Sequence, residues 1–157
     1  MAGTAFLLIV TAMLLPWWAI TNETSGTNTL LGRVFLFGSN QDLVHPLAKG
    51  ATAVLLAAAA ILLFLRVAAA EWRHDAHRWR RDLRLGSLLV FIALASCVFW
   101  PLELPFWGGR TYALVNGTVV DLTIVAQPGL GWWTAGIALG LLGWASWIAR
   151  SRDSRQG

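Results

Sequence analysis

Residues 50–67 read Gly-Ala-Thr-Ala-Val-Leu-Leu-Ala-Ala-Ala-Ala-Ile-Leu-Leu-Phe-Leu-Arg-Val, and no charge interrupts them before Arg66. At about 1.5 Å rise per residue a helix of this length runs about 27 Å, close to the roughly 30 Å hydrocarbon core of a bilayer. Arg66 stands at its end, where a long aliphatic stem lets a guanidinium snorkel to the headgroups. The stretch therefore predicts a membrane-spanning helix.

Three further apolar runs flank it. Residues 5–20 form the first, broken near its end by Pro16 and closed by Trp17 and Trp18; residues 85–100 stop at Pro101; residues 132–149 end at Arg150. A secretory signal peptide would also open on an apolar run. Residues 1–4 carry no Lys or Arg, however, and no small-x-small cleavage pattern precedes the polar stretch, so a retained helix is expected. With 57% hydrophobic and 13% charged residues, the 157-residue chain is too apolar for an ordinary soluble fold. The expected fold is an all-α membrane protein, one domain over 1–157, with four transmembrane helices.

Charge sets the expected orientation. The net +4 does not point to nucleic acid, because the basic residues cluster in short blocks beside apolar spans, where they report topology. Arg73, Arg78, Arg80, Arg81 and Arg84 crowd the connector 68–84, and Arg150, Arg152 and Arg155 the tail, against Arg33, Lys49 and Arg110 in the two other loops. The connector and both termini are therefore expected in the cytoplasm of a multi-pass plasma-membrane protein, with loops 21–49 and 101–131 outside. The five connector arginines are candidates for contact with anionic lipid.

Both outer loops read as β-rich. Tyr112 to Val115 and Thr118 to Val125 are joined by Asn116-Gly117, the strongest short-range signal for a two-residue hairpin. That turn places Ala113 and Val115 on one face with Val120 and Leu122, and Tyr112 and Leu114 on the other with Val119 and Asp121. Trp17 to Asn22 and Thr29 to Phe37 flank a turn-rich 23–28 and suggest a second hairpin. A lone hairpin is marginal in water, so both are expected in one small sheet capping the helices. Trp17, Trp18, Trp107, Tyr112, Leu114 and Val119 are the candidate partner contacts. Each half of the chain reads helix, Pro/Trp junction, outer loop, helix ending in Arg, which suggests a parallel internal repeat with Trp17 near the equivalent of Trp100 and Arg66 of Arg150.

The search for chemistry returns little. No span carries an ionisable group in its middle, and no catalytic triad, phosphate-binding glycine loop or haem-ligating His pair is present. Glu71, His74, Asp75 and His77 could approach one another, but the surrounding arginines oppose a cation. Cys97 is alone, so no disulfide or thiolate metal site can form. Neither catalytic residues, cofactor nor metal are expected. Gly136, Gly140 and Gly143 form a small-residue stripe that suits close helix approach, with Ala53, Ala57 and Ala60 as the matching surface. Packing within the bundle and self-association both account for it.

The Trp closing the first helix and the Gly129-Leu-Gly-Trp-Trp opening of the fourth give the chain a resemblance to the claudin-type tetraspan architecture. The paired outer-loop cysteines and Gly-Leu-Trp signature of claudins proper are missing, so paracellular function is not implied. The chain is also broadly similar to small tryptophan-rich four-helix membrane proteins of actinobacteria. The expected function is that of a non-catalytic accessory or scaffolding subunit, held in membrane lipid and packing against other integral membrane subunits or itself. The alternative is a small transporter or channel component with Arg110, Asp121 and His45 at its outer mouth. A continuous polar path between the helices would favour that alternative.

Overall fold

The structure, a computed structural model, describes residues 1–24, 27–37, 46–68, 76–99, 109–115 and 118–153. In chain order the elements are α1 (Ala2–Leu14), β1 (Pro16–Thr24), β2 (Thr27–Phe35), α2 (Pro46–Ala68), α3 (Ala76–Phe99), β3 (Gly109–Val115), β4 (Thr118–Pro128) and α4 (Leu130–Asp153). The protein is mostly helical, and its described residues form four helices and a four-stranded sheet of order β2-β1-β4-β3.

The expected first helix over 5–20 is corrected: α1 ends at Leu14, and its cap Leu15 is extended at φ −87° and ψ 158°. Pro16 is the cause, since its ring disfavours helical geometry in the residue before it and removes the N–H that the next helical bond requires. After Pro16 the chain reads Trp-Trp-Ala-Ile, and aromatic and β-branched residues favour a strand. The cytoplasmic loop expected over 68–84 is also corrected. Helix α3 starts at Ala76 and runs 24 residues, so Arg78, Arg80, Arg81 and Arg84 lie on the helix. Arginine is a good helix former, and neither glycine nor proline interrupts 76–84. Arg73 lies outside the described residues.

Each helix turns one narrow stripe inward. Ala5, Ile9 and Ala12 do so in α1, Leu56, Ala59 and Leu63 in α2, Val90, Ala93 and Cys97 in α3, and Ala135, Ala138 and Leu142 in α4. The spacing is three or four residues throughout, the repeat of one helical face. Every stripe contains at least one alanine, whose small side chain lets neighbouring backbones come close. The helices form a closed ring, α1 against α2, α2 against α3, α3 against α4 and α4 against α1.

The sheet meets the end of the bundle at which α1 stops and α4 begins. Strand β1 contacts both helices and pairs antiparallel with β2 on one side and β4 on the other. In the second hairpin Val115 pairs with Thr118, Leu114 with Val119, Ala113 with Val120 and Tyr112 with Asp121, the register a two-residue connection demands. Asn116 and Gly117 themselves lie outside the described residues.

The expected parallel repeat is corrected by the strand order. A duplication would make β1 equivalent to β3, yet β1 is central and β3 is at an edge. By length and apolarity alone, one helix among the described residues is fit to cross a membrane, Lys49–Ala68, while Ala2–Leu14 is apolar but shorter. Arg80, Arg81, Asp82 and Arg84 enter the first turns of α3, and glycines and tryptophans dilute the apolar character of α4. A four-helix bundle with a sheet at one end is the fold, and of the four membrane spans expected one, on α2, meets the length and apolarity of a span among the described residues.

Candidate functional site

Three places concentrate polar or closely approaching groups: the joint between bundle and sheet, the interior between α2 and α3, and the basic face of α3.

At the joint, the carbonyl of Ala12 would have accepted a helical bond from residue 16, and Pro16 has no N–H to give. The indole of Trp17 replaces it, with Nε1 donating to Ala12 O at 2.7 Å. The backbone N–H of Gly129 then donates to Trp17 O at 2.7 Å, tying the start of α4 to β1. Both glycines here are sterically required. A Cβ on Gly129 would run into the backbone of Pro16, and one on Gly131 would come within 2.7 Å of the Trp17 ring and 2.8 Å of Ala12 O.

Trp17 and Trp18 are therefore corrected as partner contacts, since both are fully buried. Tyr112, Leu114 and Val119 have their backbones placed in β3 and β4, and Trp107 lies outside the described residues. Trp132 reaches from α4 to α3, its Nε1 donating to Leu94 O at 3.4 Å, and it stacks edge-on with Trp133 at 4.9 Å.

The glycine stripe is corrected as well. A Cβ on Gly136, Gly140 or Gly143 would meet nothing within 4 Å, so these residues do not mediate packing within the bundle. Ala60 is buried, while Ala53 and Ala57 sit at the margin of the α2 stripe. The close approach expected of the α4 stripe is made instead by Gly129 and Gly131.

Between α2 and α3 lies a pairing that sequence patterns alone did not single out. Arg66 does not snorkel outward: it is 3% exposed, and its Nε donates to Oδ2 of Asp82, itself 4% exposed. Arg81 approaches the other carboxylate oxygen at 3.4 Å while its side chain stays 65% exposed. A charge held in a low-dielectric interior is tolerable only with a partner, and removing one member of such a pair typically costs about 3–5 kcal/mol. The signal was present in the sequence as one acid, Asp82, among the arginines of 78–84, with Arg66 closing the neighbouring helix.

Farther along the same helix pair, Thr52 Oγ1 lies 3.2 Å from Ser96 Oγ and 3.5 Å from Cys97 Sγ. Ser96 donates to Ala93 O at 2.8 Å. Its one proton being thus engaged, Thr52 donates to Ser96, and the Cys97 thiol donates to Thr52. Fourteen residues, about 21 Å of helix, separate Thr52 from Arg66, and buried Leu56, Ala59 and Leu63 lie between them. Among the described residues the buried polar side chains between α2 and α3 thus lie in two separate places, Thr52 at one and Arg66 with Asp82 at the other. The side chains of His45, Arg110 and Asp121 lie outside the described residues, as do those of Glu71, His74, Asp75 and His77.

Arg80, Arg81 and Arg84 line a cavity of about 390 Å³ together with Leu85 and Leu88. These positions fall within about 140° of arc at 100° per residue, so they share one face of α3. Cationic and apolar groups are thereby stacked along the helix axis.

Compared with protein-family models, with curated proteins and with solved structures, the chain finds no match in any of the three.

Proposed function

We propose that this protein is a four-span membrane protein whose bundle carries its sheet outside the membrane and which acts, without chemistry of its own, as an accessory or scaffolding subunit. The observation that carries the reading is the inverted distribution of side chains in the bundle. The buried stripes are rich in alanine, and the large apolar residues point outward: Leu7 and Leu14, Val54, Ile61 and Phe64, Leu88 and Phe91, and Trp133, Ile137, Trp144 and Trp147 are each more than half exposed. Apolar surface on all four helices needs a covering, and lipid supplies one continuous around the ring. The only charges buried among the described residues, Arg66 and Asp82, neutralise each other.

The sheet supplies the surface for a partner. Strands β2 and β3 are its edges, and an edge strand presents a row of backbone donors and acceptors to a further strand. Edge pairing along β3, with the face of Tyr112, Leu114 and Val119 beside it, is the contact we favour. The order of elements is also what carries the resemblance to claudin-type tetraspans.

The test is co-purification of the tagged full chain in mild detergent. Gly117→Val places a β-branched residue where the hairpin needs positive φ, at a cost of about 1–3 kcal/mol of backbone strain. The variant is expected to reach the membrane with unchanged helical circular dichroism and to lose the protein that accompanies the wild type. A companion retained by the variant would move the contact to the helix faces. A wild-type chain that never brings a stoichiometric companion would remove the accessory role.

A further inference from the structure

We infer that the face of α3 formed by Arg80, Arg81, Arg84, Leu85 and Leu88 is a binding site for one anionic phospholipid, with the phosphate among the guanidiniums and the acyl chain along the leucines; the inference rests on the membrane reading above.

The geometry has two parts. First, the cavity of about 390 Å³ is lined by three arginine side chains, largely through their aliphatic stems, and then, toward the middle of the helix, by Leu85 and Leu88 at 43% and 52% exposure. From Arg80 to Leu88 is about 12 Å along the axis. That is the order in which a phospholipid presents its own parts, charged group first and hydrocarbon next. A free phosphate would use only the arginine head groups and leave the apolar lining empty, and an acidic peptide would leave the leucines uncovered.

Second, the carboxylate on this part of α3 does not face the cavity. Asp82 is turned inward to Arg66, with Arg81 at its other oxygen, so its charge is matched within the bundle. Among the described residues the cavity is lined by arginine and leucine. Guanidinium suits a phosphate in particular, because its planar fork of N–H donors matches two phosphate oxygens at once. The buried pair also holds this end of α3 against α2, so the arginines that line the cavity are carried on a fixed helix.

The test uses the full chain in detergent, titrated with phosphatidylglycerol and, separately, with phosphatidylcholine of the same acyl chains, bound lipid being counted by native mass spectrometry. One phosphatidylglycerol per chain is expected to bind in preference to phosphatidylcholine. Millimolar inorganic phosphate is expected to leave it in place, because phosphate lacks the acyl contact. In the Arg81→Gln/Arg84→Gln variant, whose substituted side chains face outward, binding is expected to weaken about thirty-fold, the equivalent of about 1 kcal/mol for each arginine near an anionic surface. Arg110→Gln, on β3, is the control and is expected to change nothing. Equal retention of the two lipids, displacement by phosphate, or an unchanged affinity in the double variant would overturn the site. Recovery of the chain in the soluble fraction without detergent would instead overturn the membrane reading on which the site depends.

Discussion

Pro16 and Gly131 show how much of this fold is decided by single atoms. Pro16 leaves Ala12 O without its helical donor, Trp17 Nε1 takes that place at 2.7 Å, and the indole then occupies the space in which a side chain at position 131 would begin. The ring cannot retreat without giving up its hydrogen bond. Gly131→Ala is therefore expected to lower stability by about 1–3 kcal/mol, the usual cost of forcing an extra carbon into a packed site, read as a lower melting temperature in detergent. A variant that melts like the wild type would show that Trp17 does not lock the joint. Nothing local in Trp17 announced this role. A tryptophan after a proline at the end of an apolar run reads as an interfacial anchor, and only the closeness of Gly131 on α4 turns it inward.

At the scale of elements, two glycine sets on one stretch of chain behave oppositely. Gly129 and Gly131 sit where backbone and indole crowd in, whereas Gly136, Gly140 and Gly143 face open space. Sequence spacing favours the second set, since a glycine every three or four residues makes a groove on a helix. The groove is present but faces outward. Gly140→Leu is accordingly expected not to lower the melting temperature of the bundle, since the added side chain meets no neighbour within 4 Å and leucine is the better helix former. A fall of several degrees would mean that a second copy or a partner packs on that face in the purified protein. The arginines of α3 teach a related lesson: charge density suggested a loop, but arginine favours helix, and the helical face is what groups Arg80, Arg81 and Arg84 with Leu85 and Leu88.

For the whole molecule, the sheet order separates two descriptions that the sequence leaves open. Reading the chain as two similar halves makes β1 the counterpart of β3. In the structure β1 and β4 form the centre of the sheet, α1 packs on α4 and α2 on α3, so the arrangement mirrors about the middle of the chain. The sheet lies at the end where α1 stops, which puts both hairpins on one side and the arginine-bearing start of α3 on the other. An impermeant thiol reagent added to intact cells is thus expected to label a cysteine introduced at Ser25 or at Gly117, and to label one at Ala76 only after the membrane is opened. Cys97, buried against Thr52, is expected to stay silent. Labelling at Ala76 in intact cells would reverse the orientation that arginine asymmetry suggests.

The four helices, the two hairpins and the register of the second were legible in the sequence because each depends on near neighbours. Apolar runs make helices, Asn116-Gly117 dictates how Val115 meets Thr118, and alternation along β3 and β4 assigns the faces. Where α1 ends was also written locally, in Pro16, although the apolar character of Trp17 to Ile20 masks it. The tertiary structure alone decided which side of each helix is buried. Arg66 became an interior residue because Asp82 on the next helix meets it, Trp17 because Gly131 makes room for it, and the glycine stripe became an outer surface because the alanines of α4 face the bundle instead. Those outcomes depend on pairs of residues 16 to more than 100 positions apart, and no local pattern encodes a pairing whose partner lies on another helix.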